Sequence, residues 1–200
     1  MFYQVMKRVF DFTLALIGAV VTIPFFLVIM LAIKIESKGP IFFIQKRVGK
    51  NKKHFRIYKF RTMKIETPQE TATHLLEDPE QWITRVGSFL RVTSLDELPQ
   101  LYNILFGKMS IVGPRPALWN QYDLIEERDK YGANDLRPGI TGWAQVNGRD
   151  TLTISDKAKL DGMYVKKASF ITDIKLVIQT FFIVLKRDGN IEGGTGSKSK

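Results

Sequence analysis

From Phe12 to Ile33 the chain runs 22 residues without a charge, FTLALIGAVVTIPFFLVIMLAI. As an α-helix this run is about 33 Å long, against a bilayer hydrocarbon core of about 30 Å. It is longer than the apolar core of a secretory leader, and no small-x-small cleavage site follows it. A retained membrane segment is therefore expected; a buried helix of a soluble protein is the alternative. Pro24 stands near the middle, where it removes a backbone donor and crowds the carbonyl four residues earlier. Gly18 adds flexibility. Two shapes follow: a kinked helix that spans the membrane, or a re-entrant helix that bends at Pro24 and returns to the same face. Lys7 and Arg8 precede the run, and Lys34 and Lys38 follow it. Basic residues mark the cytoplasmic side, and a single span satisfies only one of these flanks. The residues by themselves leave both shapes open.

The 200 residues suggest one domain, or one with an attached segment. The net charge of +10 is uneven. Residues 1–64 hold 13 Lys+Arg and 2 Asp+Glu, a net of +11; the remaining 17 basic and 18 acidic residues leave −1 for residues 65–200. A 44% hydrophobic composition argues against disorder. The absence of cysteine excludes a disulfide scaffold, a thiolate zinc site and a thiol nucleophile. With only His54 and His74, a multi-histidine metal site or a Ser-His-Asp triad is not expected. Carboxylates, hydroxyls and cations are left to carry the chemistry, and anions are the natural partners.

After Gly39-Pro40, two runs rich in Phe, Ile and Tyr flank a Gly/Asn/Lys turn. This pattern predicts a β-hairpin over residues 41–47 and 54–63. Its interleaved basic and aromatic residues suit nucleic acid or anionic lipid. Adjacency to the apolar run favours lipid, and the net −1 of the rest argues against a nucleic-acid groove.

Residues 65–80 read as a mobile polar loop with a short helix, and Trp82–Val92 as a basic amphipathic stretch. Next, Ser94-Leu95-Asp96-Glu97 fits a capping box that opens a helix at about residue 94. Leu98, Leu101, Tyr102, Leu105 and Phe106 would form its buried stripe. Acidic residues at a helix N-terminus sit in a positive field, which fits either plain first-turn stabilisation by Asp96 and Glu97 or a low-pKa carboxylate that serves as nucleophile or Mg²⁺ ligand. Adjacent carboxylates can divide labour, one attacking or binding metal while the other manages protons. Arg91 precedes the pair, Arg115 follows in GPRP, and Arg137 and Arg149 lie in RPGITGWAQVNGR. Arginine forks match phosphate oxygens, and loops this rich in Gly and Pro are expected to serve a ligand. The combination points toward phosphoryl chemistry.

Leu152–Lys167 reads as a polar helix ordering Tyr164. Phe170–Arg187 carries apolar residues at helical spacing with Asp173 and Lys175 inside. The internal charges disfavour a second span; an interfacial helix and packing on the core both fit. Residues 188–200 read as a flexible tail.

KFRTM (59–63), SLDELPQLYNIL (94–105), VGPRP (112–116) and RPGITGWAQVNGR (137–149) together resemble the motif set of the bacterial sugar transferases. These are small monotopic phosphoglycosyl transferases, and the resemblance runs from about residue 3 to residue 187. It implies an α/β, mainly helical fold. A re-entrant membrane helix (1–38) would precede a catalytic domain (39–187) with its hairpin and interfacial amphipathic helices, on the cytoplasmic face of a bacterial inner membrane. The implied reaction is ping-pong transfer of a phospho-sugar from a UDP-sugar to polyprenol phosphate, releasing UMP. Asp96 would be the nucleophile and a ligand of Mg²⁺, with Glu97 assisting. Arg91, Arg115 and Arg149 match family positions near the phosphates; Lys59, Arg61 and Arg137 fall in family motifs. Membrane lipids are an implied partner, nucleic acid is not, and self-association is left open. In the family the membrane helix breaks at a Ser-Pro pair. Here Ile23 precedes Pro24, so the hydroxyl able to bond freed carbonyls is missing from that position. Lys108, Val48 and Ala168-Ser169 also depart from the pattern.

Overall fold

A computed structural model describes residues 2–67, 78–148 and 151–186. These residues are mainly helical, with two small two-stranded sheets among them. Helix α1 (Phe2–Glu36) continues through Pro24. Among the described residues it is the one helix long and apolar enough to cross a membrane. Val20, Val21, Ile23, Leu27 and Val28 leave most of their surface uncovered. The opposite face of α1 packs on the protein: Ala15 against Phe55, Ile57, Ile104 and Met109, and Ile29 and Ile33 against Phe60 and Leu90. A hydroxyl does serve the backbone before Pro24. It comes from Thr22, one residue ahead of Ile23, and donates to Gly18 O at 2.7 Å and Ala19 O at 3.3 Å. Back-bonding of this kind bends helices.

Both ends of α1 are tied to the same body by polar bonds. At the N-terminal end, Arg8 donates to Ile104 O (2.6 Å) and Leu105 O (2.8 Å). Lys7 Nζ pairs with Asp173 Oδ2 at 2.8 Å. Asp11 accepts from Ser110 Oγ (2.7 Å) and Ile111 N (3.2 Å). At the other end, Glu36 accepts from Arg85 N (2.7 Å) and Val86 N (3.1 Å). These are the first free amides of α2 (Arg85–Val92), where an acid suits the helix dipole.

The predicted hairpin forms. Strands β1 (Phe42–Val48) and β2 (His54–Phe60) are antiparallel, with Phe42 opposite Phe60 and Val48 opposite His54. Alternation along β1 turns Gln45 and Arg47 inward and leaves Lys46 outside, over the Trp119 ring.

The capping box does not form. Ser94 has a left-handed backbone (φ 58°) and caps nothing, whereas a capping residue is extended. Ser94 instead terminates α2, its N–H bonding Arg91 O at 3.1 Å. Asp96 and Glu97 then lie in a 3₁₀ turn over Leu95–Glu97, and helix α3 (Gln100–Leu105) follows. Of the expected stripe, Leu98, Leu101 and Leu105 are partly buried against the core. Gln100, Asn103 and Ile104 are buried, while Tyr102 and Phe106 are exposed, their rings 4.3 Å apart. Asn103 faces inward because its amide clips the hairpin, donating to Arg56 O (2.8 Å) and accepting from Tyr58 N (3.2 Å).

The two Gly/Pro-rich loops meet each other. Strands β3 (Ser110–Val112) and β4 (Gly139–Thr141) pair in parallel. Gly113 N donates to Thr141 O and Gly139 N to Pro114 O. A Cβ at Gly113 would stand 2.4 Å from Arg137 O, and one at Gly139 2.1 Å from Gly113 N. Backbone crowding therefore accounts for these glycines, without a ligand.

Helix α5 (Trp143–Val146) packs on Val112 of this pair, and α4 (Tyr122–Asp129) sets Leu124 against Val48 and Ala117. Thr153 caps α6 (Ile154–Lys167), whose Tyr164 is buried, and α7 (Phe170–Lys186) lies beside it. Asp173 of α7 faces inward, accepting from Tyr3 (3.0 Å), Lys7 and Tyr164 (2.7 Å). Burial and the Asp173 carboxylate raise the Tyr164 phenol well above its ordinary value. Core packing thus holds for the inner edge of α7, through Asp173 and Leu176. Ile171, Ile174, Phe181 and Phe182 are exposed on its outer side. The tail and most of the loop expected at 65–80 lie outside the described residues.

Candidate active site

Asp96 and Glu97 are both buried, side by side in the 3₁₀ turn between α2 and α3. Lys59, near the end of β2, reaches over both. Its Nζ stands 2.7 Å from Glu97 Oε1 and 3.4 Å from Asp96 Oδ2. Arg115 lies 3.4 Å from the same Glu97 oxygen. The stiff VGPRP segment that carries Arg115 is fixed from behind by the β3–β4 pairing. Arg91 donates from Nε to Thr62 Oγ1 at 2.9 Å, and its charge acts on Asp96.

These contacts correct the expected electrostatics of Asp96. Burial is the largest influence and raises its pKa, and the Glu97 charge raises it further. Lys59 and Arg91 pull it down without reversing the shift. The expectation of a low value rested on a helix N-terminus, and the pair does not sit in one.

The other cations divide. Arg61 donates to Ser37 O and Lys38 O at 2.9 Å each, fastening the hairpin to the end of α1. Arg137 donates from Nε to Gly107 O at 2.9 Å, beside the α3 carbonyls held by Arg8. Neither is brought to the carboxylates by a described contact. Arg149 lies outside the described residues.

Arg47 belongs with the site group. It donates to Pro116 O (3.0 Å) and Gln45 Oε1 (2.6 Å), bracing the Arg115 loop. Burial and the like charge of Arg115 pull its guanidinium down to about 9, against the Glu97 charge. Strand alternation could have picked it out, since it shares a face with Phe43 and Gln45.

A cleft of about 440 Å³ opens beside the pair. Its polar lining comes from Ser94, Glu97, Arg115, Thr141, Gln145 and Thr180, and its apolar lining from Leu98, Leu101, Ile140, Val146, Ile183 and Val184. Leu101 rests on α1 at Gly18, where a Cβ would come within 3.4 Å. No group of three or more His, Asp or Glu able to hold a metal occurs among the described residues. The donors available at the pair are therefore few. Asp96 and Glu97 are adjacent and buried, and Asp96 would hold a Mg²⁺, a cation commonly bound by one or two carboxylates.

Two buried carboxylates thus lie under several cations, and one of them, Glu97, lines the cleft together with Arg115. The chain belongs to the bacterial sugar transferase family, whose model matches residues 2–187. It is 40% identical over 186 residues to the uncharacterized sugar transferase EpsL of Bacillus subtilis (strain 168), covering 93% of this chain and 90% of EpsL. It is 41% identical to the UDP-glucose:undecaprenyl-phosphate glucose-1-phosphate transferase of Escherichia coli (strain K12), covering 90% of this chain and 40% of that protein. It is 38% identical to the UDP-N-acetylgalactosamine-undecaprenyl-phosphate N-acetylgalactosaminephosphotransferase of Aeromonas hydrophila, covering 92% of this chain and 44% of that protein. The chain thus spans less than half of the last two relatives. Its apolar N-terminal helix fits a membrane-bound protein.

Proposed function

We propose that this protein transfers a phospho-sugar from a UDP-sugar to polyprenol phosphate and releases UMP. The observation that carries the reading is the Asp96–Glu97 pair held under Lys59 and Arg115, with Glu97 and Arg115 lining a cleft that also carries apolar side chains. Relatives named for undecaprenyl-phosphate substrates support it.

In the first step an Asp96 oxygen attacks the β-phosphorus of the UDP-sugar. The bond from that phosphorus to the bridging oxygen breaks, UMP leaves with the electron pair, and the phospho-sugar is carried as an acyl phosphate on Asp96. In the second step a phosphate oxygen of polyprenol phosphate attacks the same phosphorus and Asp96 is released. The raised pKa makes the Asp96 carboxylate a stronger nucleophile once ionised, while Lys59 and Arg91 keep the ionised form accessible. Lys59 and Arg115 are placed to meet charge that develops on the phosphoryl oxygens. Glu97, held by both, keeps them in place and is positioned to handle a proton. Asp96 would hold Mg²⁺, which when bound supplies charge neutralisation on the diphosphate.

The same proposal makes α1 re-entrant, with the catalytic body on the cytoplasmic face of the inner membrane. The support is the polar anchoring of both α1 ends to one body, by Lys7, Arg8 and Asp11 at one end and Glu36 at the other. A straight span would carry one set of these bonds to the far side of the bilayer. The test of the function is product analysis with UDP-sugar, polyprenol phosphate and Mg²⁺. UMP is the expected nucleotide product; UDP would mean ordinary glycosyl transfer and would refute the proposal.

A further inference from the structure

Gln145, on α5, has no hydrogen-bond partner for either end of its side-chain amide among the described residues, and both atoms are buried. A primary amide carries two donors on nitrogen and acceptor capacity on oxygen. Leaving all of it unmet in an interior is unfavourable, and folded proteins rarely do so. The location of this exception is specific: Gln145 lines the same cleft as Glu97 and Arg115. Its side chain lies against the crowded backbone of the paired loops, since a Cβ at Gly142 would come 3.0 Å from Gln145 Oε1.

We infer that Gln145 is a specificity-determining residue that binds an uncharged donor-and-acceptor group of the sugar nucleotide, a sugar hydroxyl or the uracil imide. The inference rests on the proposed reaction. A ligand that satisfies Gln145 must offer an acceptor to Nε2 and a donor to Oε1. Ionised phosphate oxygens offer acceptors only, and Arg115 and Lys59 already suit them. A polyprenyl chain offers neither. Sugar hydroxyls and the uracil imide each offer both.

The test uses Gln145→Leu in the full chain, in detergent or nanodiscs, beside the parent. Binding of UDP, UDP-glucose and UDP-N-acetylgalactosamine is measured separately, together with kcat, KM and thermal stability. Leucine is close in size and removes an unmet buried amide, so the variant melts at or above the parent temperature. Its affinity for at least one UDP-sugar falls by about tenfold or more, as when a site built to hydrogen-bond a polar group loses that bond. Equal loss for UDP identifies the uracil imide; loss confined to UDP-sugars identifies sugar hydroxyls. Binding of all three within about twofold of the parent overturns the inference. A melting temperature well below the parent's also overturns it, because the amide would then have a partner inside the protein. A parent that neither binds these nucleotides nor releases UMP refutes the reaction itself, and the inference with it. That outcome is distinct from an active parent paired with an indifferent Leu variant.

Discussion

Replacing Lys59 with methionine tests the electrostatic frame of the site. Lys59 Nζ is 2.7 Å from Glu97 and 3.4 Å from Asp96. At an effective dielectric of about 20, single charges at those distances attract by about 6 and about 5 kcal/mol. Desolvation of the two buried carboxylates and the partly buried lysine offsets much of that attraction, and removing one partner of a buried pair costs about 3–5 kcal/mol in practice. Arg115 still lies 3.4 Å from Glu97 and retains part of the stabilisation. The expected loss is therefore about 2–4 kcal/mol near neutral pH, or about 5–15 °C in melting temperature for a chain of this size. The sign with pH follows from the direction of the shift. Lys59 lowers the Asp96 pKa, so its stabilisation is present where the carboxylates are ionised and is lost as pH falls through their titration. Thermal melts of parent and Lys59→Met at matched scan rate should thus differ most at neutral pH and converge in acid. Lys59→Arg should stay near the parent. Equal melting temperatures at neutral pH, or a gap that persists unchanged in acid, would refute this reasoning.

Asp96→Asn should abolish UMP release yet stabilise the fold. Burial raises Asp96, so the folded state holds its proton more tightly than the unfolded state. The contribution to stability is present below the ordinary carboxylate pKa and is lost as pH rises through the raised one. At neutral pH the neutral amide should gain about 1 kcal/mol, seen as a rise of about 2–4 °C in melting temperature; a fall would contradict the burial argument. The chain has no cysteine, so Gln4→Cys and Lys50→Cys report topology cleanly in sealed vesicles. Both should be labelled from the same side, and opposite-side labelling would restore a straight span.

The hairpin, the long apolar helix and the carboxylate pair were legible in the sequence because each rests on local pattern: alternation, an uncharged run, adjacent acids. The pairing of β3 with β4 was not. Each strand is three residues long, and their glycines answer to a partner loop 29 residues away in sequence (Ser110 opposite Gly139). Composition could register those glycines only as unusual. Ser94 carried a misleading local signal. The S-x-x-E spacing is real, but the chain must turn out of α2 before it can start α3, and Ser94 is used for that turn. This displaced the carboxylates from a helix N-terminus, and burial moves the Asp96 pKa in the direction opposite to the one expected. The cations of the first 64 residues likewise proved to be of two kinds. Lys59, Arg47 and Arg61 are turned inward to the site or the α1 junction, whereas Lys50 and Lys53 are exposed, as a charge total alone cannot distinguish.

Capture of the covalent intermediate decides whether Asp96 carries the phospho-sugar. The full chain is incubated with a UDP-sugar and Mg²⁺ without polyprenol phosphate, quenched, digested and read by mass spectrometry. A peptide bearing a phospho-sugar on Asp96 is expected, with UMP equal in amount to modified protein and no adduct in Asp96→Asn. UMP formed only after acceptor is added, with Asp96 unmodified in a catalytically active preparation, would contradict that expectation.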